Sequence, residues 1–343
     1  MIKRTFHFSN PAYLSLKGRQ MMIDLPHLKV LDEKEGKKST PIEDIGIVML
    51  DHPQITITHG CMEALLENNT IIVVCNKSHH PAGLLLPVEG HETQSERYRA
   101  QLEATQPLKK QLWQQTIQAK ILNQAAVLAT RGIETENMLY WARSVRSGDP
   151  DNYEGRAAAY YWRYVFPPTV DFLRGRDGGP PNNLLNYGYA VLRAIVARAL
   201  VCSGLMPTLG IHHHNKYNAY CLADDVMEPY RPYVDQIVLG IIDNGEDFTE
   251  LSSSIKTQLL GIASVDVQFA KTSPLMVGVQ NTTASLARCF ELKARKITYP
   301  VMKSPAGKRT AKYAPAEDDT LNIAAEDELP YQKAVKDKKE NPF

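Results

Sequence analysis

The chain has 343 residues, 43% of them apolar and 22% charged, with a formal net charge of +1. That length allows two domains, or one large one, with a sizeable core, and that balance excludes a disordered or fibrous chain. A near-zero net charge also excludes a polyanion-binding surface spread over the whole molecule and leaves only local basic clusters open.

The opening MIKRTFHFSN is strand-like and lacks a signal-peptide core. TFHF, AYLSL and QMMID follow as short strands, broken by Ser9-Asn10-Pro11 and Gly18-Arg19. IGIVML (45–50), QITIT (54–58), IIVVC (71–75) and GLLLP (83–87) continue the set, with one short helix expected at Cys61–Glu67. From about residue 93 the apolar period becomes helical. Leu108, Leu112, Ile117, Ile121, Ala125 and Leu128 place a helix over Pro107–Thr130, with Pro107 suited to its first turn. Further helices are expected at 134–146, 154–165, 184–203, 217–227, 232–243, 251–260 and 281–296. No run of about 18 apolar residues stands out, so no membrane span is expected. The expected architecture is therefore α+β. A small N-terminal antiparallel β domain with one short helix (1–92) precedes a larger all-helical catalytic domain (93–302) and a polar, flexible tail (303–343). The boundary should fall in the polar stretch Val88–Ser95. Cys61, Cys75, Cys202, Cys221 and Cys289 form no CxxC pair, and most lie in apolar contexts. Buried free thiols in a reducing cytoplasm fit them best.

Several motifs fail on inspection. Gly36-Lys37-Lys38-Ser39 has the wrong Lys–Ser spacing for a phosphate loop, and Leu31 stands where that motif needs glycine. His91-Glu92 lacks the second His of a zinc-protease helix, and there is neither a GxSxG nor a dinucleotide glycine fingerprint.

The densest chemistry lies in GIHHHNKYNAYCLADDVMEPYRP (210–232). His212, His213 and His214 precede a segment, Tyr217–Glu228, on which Asp224, Asp225 and Glu228 fall within about a turn of one another. Imidazole and carboxylate together need a shared proton, a hydrogen-bond network or a metal ion. Pro229 and Pro232 should end the helix. A straight helix would hold His213 and Glu228 about 15–20 Å apart, so joining them at one ion requires the chain to reverse between them. The competing account is a solvated or capping His cluster. Structural zinc is weaker because no Cys pair sits nearby. Glu228 alone would be explained by an ion pair with Arg231.

GIHHHNKYNAYCLADDVMEPYRPYVD, NYEGRAAAYYWRYVF (152–166), PPNNLLNYGYAVLRAIV (180–196) and KQLWQQTIQAKILNQAAVL (110–128) resemble, in order, the integrase and endonuclease of CRISPR spacer adaptation, the first of the numbered Cas proteins. The likeness is strongest to its type II branch, extends to PIEDIGIVMLDHPQITIT and HHPAGLLLP, and covers roughly residues 1–300. It implies one divalent ion, Mg²⁺ or Mn²⁺, held by Glu154, His213 and Glu228, with His212 and His214 as adjacent candidates for the histidine. Two carboxylates suit either ion, and the imidazole tilts preference toward Mn²⁺. Without the resemblance, Glu154 would be only a first-turn helix residue favoured by the dipole. The implied reaction is attack by the 3′-hydroxyl of a short DNA duplex on a phosphodiester of the CRISPR repeat, and water in its place gives nuclease activity. The implied partners are double-stranded DNA (protospacer and repeat), a second copy of the chain in a homodimer, and the small second adaptation Cas protein bridging two dimers. Other type II adaptation proteins and the effector nuclease follow from the same likeness. Asp224 and Asp225 are candidates to support the ligands or to be ordinary surface carboxylates.

A DNA enzyme of neutral net charge needs locally basic surface. Lys109, Trp113 and Lys120 share a face of the 107–130 helix, and Arg143, Arg146 and Arg156 flank Glu154. Arg163, Arg174 and Arg176 follow, and Arg231 lies beside Glu228. Solvated charge is the default for each. Arg156 and Arg231, next to the ligands, are the favoured contacts, and Arg231→Ala should impair DNA binding more than folding. Two other accounts remain: a non-catalytic DNA-binding scaffold, and a metallo-phosphoesterase acting on small substrates.

Overall fold

The computed structural model describes residues 3–29, 36–77, 79, 81–175 and 178–302. The 303–343 tail, Leu31 and Arg176 lie outside these residues.

The chain opens with β1 (Arg4–Phe8), β2 (Ala12–Lys17), β3 (Gln20–Asp24), the single turn α1 (Pro26–Lys29) and β4 (Lys37–Pro41). Gly18 and Arg19 take φ of 55° and 58°, the paired left-handed residues of a tight hairpin between β2 and β3. The Lys37–Ser39 run is thus strand rather than phosphate loop. Next come β5 (Ile45–Leu50), β6 (Ile55–Ile57), α2 (His59–Glu67), β7 (Ile71–Cys75) and β8 (Pro81–Leu85). Two four-stranded sheets result, in the orders β1-β5-β7-β8 and β4-β3-β2-β6.

The expected antiparallel arrangement is corrected to a mixed one. β1 pairs with β5, β5 with β7 and β2 with β6 in parallel. The chain crosses from β5 to β7 through α2, and parallel neighbours need such a crossover. IGIVML and IIVVC carried the signal, because strands buried on both faces read as continuous apolar runs. Ile47, Met49, Ile71 and Val73 pack into the core of the helices, whereas Ile45, Val48 and Ile72 face the other sheet with Leu14, Met21 and Leu65. Ile45 and Ile47 point to opposite sides because the β1–β5 register slips at Gly46, where a bulge adds one residue.

The rest of the chain is mostly helical: α3 (Gln94–Leu102), α4 (Gln106–Thr130), α5 (Glu136–Ser144), α6 (Tyr153–Tyr164), α7 (Asn182–Cys202), α8 (Cys221–Met227), α9 (Arg231–Asp243), α10 (Ser253–Leu260) and α11 (Leu275–Phe290). Two short antiparallel strands, β9 (Asp266–Gln268) and β10 (Thr272–Pro274), interrupt it, so the region is not all-helical. Pro107 lies in the first turn of α4, behind a Thr105 cap. α7 is apolar enough over 21 residues to cross a membrane by composition, but 89% of that window is buried inside the protein. α8, α9, α10 and α11 pack against it. All five cysteines are free thiols.

The join between sheets and helices is polar as well as apolar. Asp51, just past β5, is fully buried and takes His7 at 3.0 Å, His79 at 2.8 Å and Lys256 of α10 at 3.1 Å. Burial alone would raise its pKa, but those hydrogen bonds prevail and hold it at about 2.

Candidate active site

Glu154 sits in the first turn of α6. The chain enters that helix through Asn152, whose side chain accepts from the Gly155 N–H at 3.1 Å. Asp149 accepts from the N–H groups of Tyr153 and Glu154 at 3.0 and 2.9 Å. The orphan donors of the helix start are therefore met by side chains, which fixes the backbone that carries Glu154. A Cβ on Gly155 would lie 2.7 Å from the Asn152 amide, so the Gly of Tyr-Glu-Gly lets this cap close.

Glu228 lies in a 3₁₀ turn, Glu228–Tyr230, that joins α8 to α9. Pro229 and Pro232 do not end the helical run. Each sits in the first turn of the next helical segment, where a missing N–H leaves nothing unpaired. Asn123 of α4 donates to the Pro229 carbonyl at 2.7 Å and ties the turn down.

Both glutamates meet on a third side chain. Lys120 of α4 places its Nζ 2.8 Å from Glu154 Oε1 and 2.7 Å from Glu228 Oε2. Lys120 and Glu228 are each 2% exposed and Glu154 24% exposed, so the pair sits at the inner end of an opening on the Glu154 side. The Lys120–Glu228 contact is an ion pair without hydrogen-bond alignment, and Glu228 Oε2 has no hydrogen-bond donor. Glu228 Oε1 pairs with Arg231 at 2.9 Å. The Arg231 guanidinium also lies over the Tyr189 ring at 5.0 Å. Tyr189 and Tyr161 donate to the buried Asp235 at 2.5 and 2.7 Å. Burial pushes Asp235 up to about 6, against the pull of those hydroxyls and of the Arg174 and Arg231 charges.

The His loop folds back on α8, the reversal that the sequence required. Leu222 N–H donates to the Pro207 carbonyl at 2.8 Å. The fully buried Asp225 carboxylate accepts from the backbone of Ile211, His212 and His213 at 2.7, 3.0 and 3.2 Å, and pairs with His213 Nδ1 at 2.5 Å. A Cβ on Gly210 would run into the His213 carbonyl and this carboxylate. Asp225 thus orients the His213 ring through Nδ1, the way a carboxylate orients a metal-binding imidazole. His212 instead stacks on Trp113, with centroids 4.1 Å apart and planes 2° from parallel, and His214 is exposed. Asp224 is buried too and pairs with Arg193 at 2.7 Å. Neither aspartate is a surface carboxylate.

Glu154 and Glu228 are thus brought together, and His213 is held one helical turn before Glu228. Among the described residues, no group of three His, Cys, Asp or Glu side chains converges closely enough to hold a metal ion. The donor chemistry nevertheless fits one. Two carboxylates share one ammonium, one buried oxygen has no aligned donor, and the His213 imidazole, three residues of chain from Glu228 through its Asp225 partner, is oriented by a carboxylate.

The basic residues divide in two. Arg143, Arg146 and Arg156 are exposed and Lys109 is half-buried. Arg146 is fastened to Asp151 by two contacts at 2.9 and 2.8 Å, and Arg156 lies over Tyr153 at 5.3 Å. Arg163 lies over Tyr164 at 5.6 Å, and half-buried Arg174 donates to Asn182 at 2.7 Å. Lys120 and Arg231, in contrast, are buried against the candidate ligands. The sequence reading missed the bridging role of Lys120, the capping role of Asp149 and the His212 platform on Trp113. Only the shared helical face of Trp113 and Lys120 hinted at the first and last of these.

Residues 8–256 match the family model for CRISPR associated protein Cas1. The CRISPR-associated endonuclease Cas1 of Neisseria meningitidis serogroup C (strain 8013) is 36% identical over 263 residues, 76% of this chain and 83% of that relative. Among solved structures, a casposase bound to integration product superposes with a TM-score of 0.70 at 19% identity, over 87% of this chain and 93% of that one. A chain of a Cas6-RT-Cas1–Cas2 complex superposes with a TM-score of 0.66 at 17% identity, over 87% of this chain and 36% of that one. The structural likenesses speak for the fold, and the family match spans the N-terminal strands after β1 and the segments that carry Glu154, His213 and Glu228. The chain belongs to the CRISPR-associated Cas1 family.

Proposed function

We propose that this chain is a metal-dependent DNA endonuclease and integrase that inserts short foreign DNA fragments as new spacers into a CRISPR array. The observation that carries the proposal is the convergence of Glu154 and Glu228, from separate helical segments, on one cationic point. The meningococcal relative, an endonuclease, and the casposase bound to integration product support the reaction class.

In this reading Glu154, Glu228 and the Nε2 of His213 hold one Mg²⁺ or Mn²⁺. The bound ion would polarise the scissile phosphate and favour ionisation of the attacking hydroxyl. The chain's own groups do the rest. Asp225 fixes the orientation of the His213 ring. Arg231 holds Glu228 by one oxygen, and the other faces Lys120. Exposed Arg143, Arg146 and Arg156 and half-buried Lys109 meet DNA phosphates, which set register without reading sequence. The incoming 3′-oxygen forms a new bond to phosphorus, and the displaced 3′-oxygen of the repeat strand leaves and takes up a proton. Water in place of the 3′-hydroxyl gives strand cleavage at the same site.

The working assembly is a homodimer, with the small second adaptation Cas protein bridging two dimers on protospacer and repeat DNA. The Cas6-RT-Cas1–Cas2 complex supports that partnership. Other type II adaptation proteins and the effector nuclease belong to the same proposal, as does a cytoplasmic location, which suits five free thiols.

The test combines the protein with its small partner, a protospacer duplex and a supercoiled repeat-bearing plasmid, in Mn²⁺ and then in EDTA. Plasmid relaxation with covalently joined protospacer is expected. It should be lost in EDTA and in Glu154→Ala, His213→Ala and Glu228→Ala. Joining that persists in EDTA would remove the metal, and DNA binding without joining would leave a scaffold.

A further inference from the structure

We infer that Lys120 is a built-in counter-ion that holds Glu154 and Glu228 at one point and is exchanged for the divalent ion when the site loads. The inference rests on the metal reading above and goes beyond it, because it assigns a role to a residue that is not a ligand. Its ground is geometric. Lys120 Nζ lies within 2.8 Å of one oxygen from each glutamate, inside a wall of protein that leaves Lys120 and Glu228 2% exposed. A buried and a half-buried carboxylate that address one point repel each other unless a cation stands between them. A site built for a divalent ion therefore needs a substitute charge whenever the ion is absent, and an ammonium on a four-carbon stem can supply it and withdraw.

The ammonium takes the point that both carboxylates address, and His213 rests on Asp225. Neighbouring groups make the exchange directional. Arg231 keeps Glu228 Oε1 engaged, whereas Glu228 Oε2 has only the ion-pair contact with Lys120 and no aligned hydrogen bond to break. On the Glu154 side the N–H groups of Glu154 and Gly155 donate to Asp149 and Asn152 and hold the backbone, so Glu154 stays in place when Nζ leaves. Lys120 is thus a positioning residue with two effects of opposite sign. It steadies the empty site, and it weakens metal binding by competing for the same oxygens.

Two measurements test this. First, Mn²⁺ affinity is read by electron paramagnetic resonance of free Mn²⁺, alongside thermal unfolding in EDTA and in Mn²⁺, for the full chain and for Lys120→Met. The variant should melt lower than the parent in EDTA, regain the loss in Mn²⁺, and bind Mn²⁺ at least about tenfold more tightly. A purely structural lysine would lower both stability and affinity. Affinity that is unchanged or weaker in a folded variant overturns the exchange, and a parent chain that binds no Mn²⁺ overturns the metal reading instead. Second, crystals of the unaltered chain are compared with and without soaked Mn²⁺, which needs no folded variant. An anomalous peak at the two glutamates with Lys120 Nζ moved away supports the exchange. The same peak with Nζ still on both carboxylates overturns it.

Discussion

Asp225 is the residue whose removal should reveal most about how the His loop is held. Its side chain is fully buried and receives three backbone N–H groups and the His213 ring. Each hydrogen bond to a charged acceptor contributes about 1.5–3 kcal/mol when measured alone. Four such bonds on two oxygens are coupled, so their values do not add. The expected cost of Asp225→Ala is instead that of breaking a buried charged network, about 3–5 kcal/mol. At about 2 °C per kcal/mol for a chain of this size, the melting temperature should fall by roughly 6–10 °C. Asp225→Asn keeps the shape and one acceptor oxygen, so it should lose less stability but still misalign His213. Thermal unfolding by circular dichroism and strand transfer, run on both variants, separate the two effects. An Asp225→Ala protein that melts with its parent and joins DNA at the parental rate would refute the argument that this carboxylate organises the loop.

Three other perturbations follow from the same geometry. Arg231→Ala should cost about 3–5 kcal/mol in urea unfolding, because it strands a Glu228 oxygen that is 2% exposed. A loss of DNA binding with stability intact would restore the surface role first expected of Arg231. Gly155→Ala should cost about 1 kcal/mol by disrupting the Asn152 cap and should slow strand transfer, since the added carbon falls 2.7 Å from that amide. Melting at parental temperature with full activity would contradict this. Asp51 titrates near 2 in the folded chain, below its ordinary value, so it contributes stability that is present above about pH 4 and lost as pH falls toward 2. Acid unfolding curves should show this contribution, of about 2 kcal/mol, and Asp51→Asn should lack it.

Local pattern was enough wherever one segment decides its own structure. IGIVML and IIVVC are strands to the residue, and Gly18-Arg19 marks the hairpin. Strand direction was not local, because β5 and β7 become parallel only through the crossover that contains α2. The last helix was expected at 281–296 and forms at Leu275–Phe290. Leu275, Val279, Thr282, Leu286 and Cys289 already traced its buried face, while the polar Lys293–Lys296 run drew the expectation too far along the chain. Leu292 in the left-handed region stops the helix first.

The site divides along the same line. The residue types of its ligands were legible, since His and carboxylates crowded into 210–232 demand a shared partner. Which partner they have depends on contacts that no local pattern encodes. Lys120 reads as a solvated charge on an amphipathic helix until α6 and the 228–230 turn pack on either side of it and exclude water. Burial then reverses its meaning. A surface lysine near DNA would be one phosphate contact among several, each worth little alone. The same lysine, buried between Glu228 and the half-buried Glu154, is the charge on which both carboxylates meet. Sequence gives the charge, but only packing sets the dielectric around it, and that dielectric decides whether the charge binds DNA or holds the site in register.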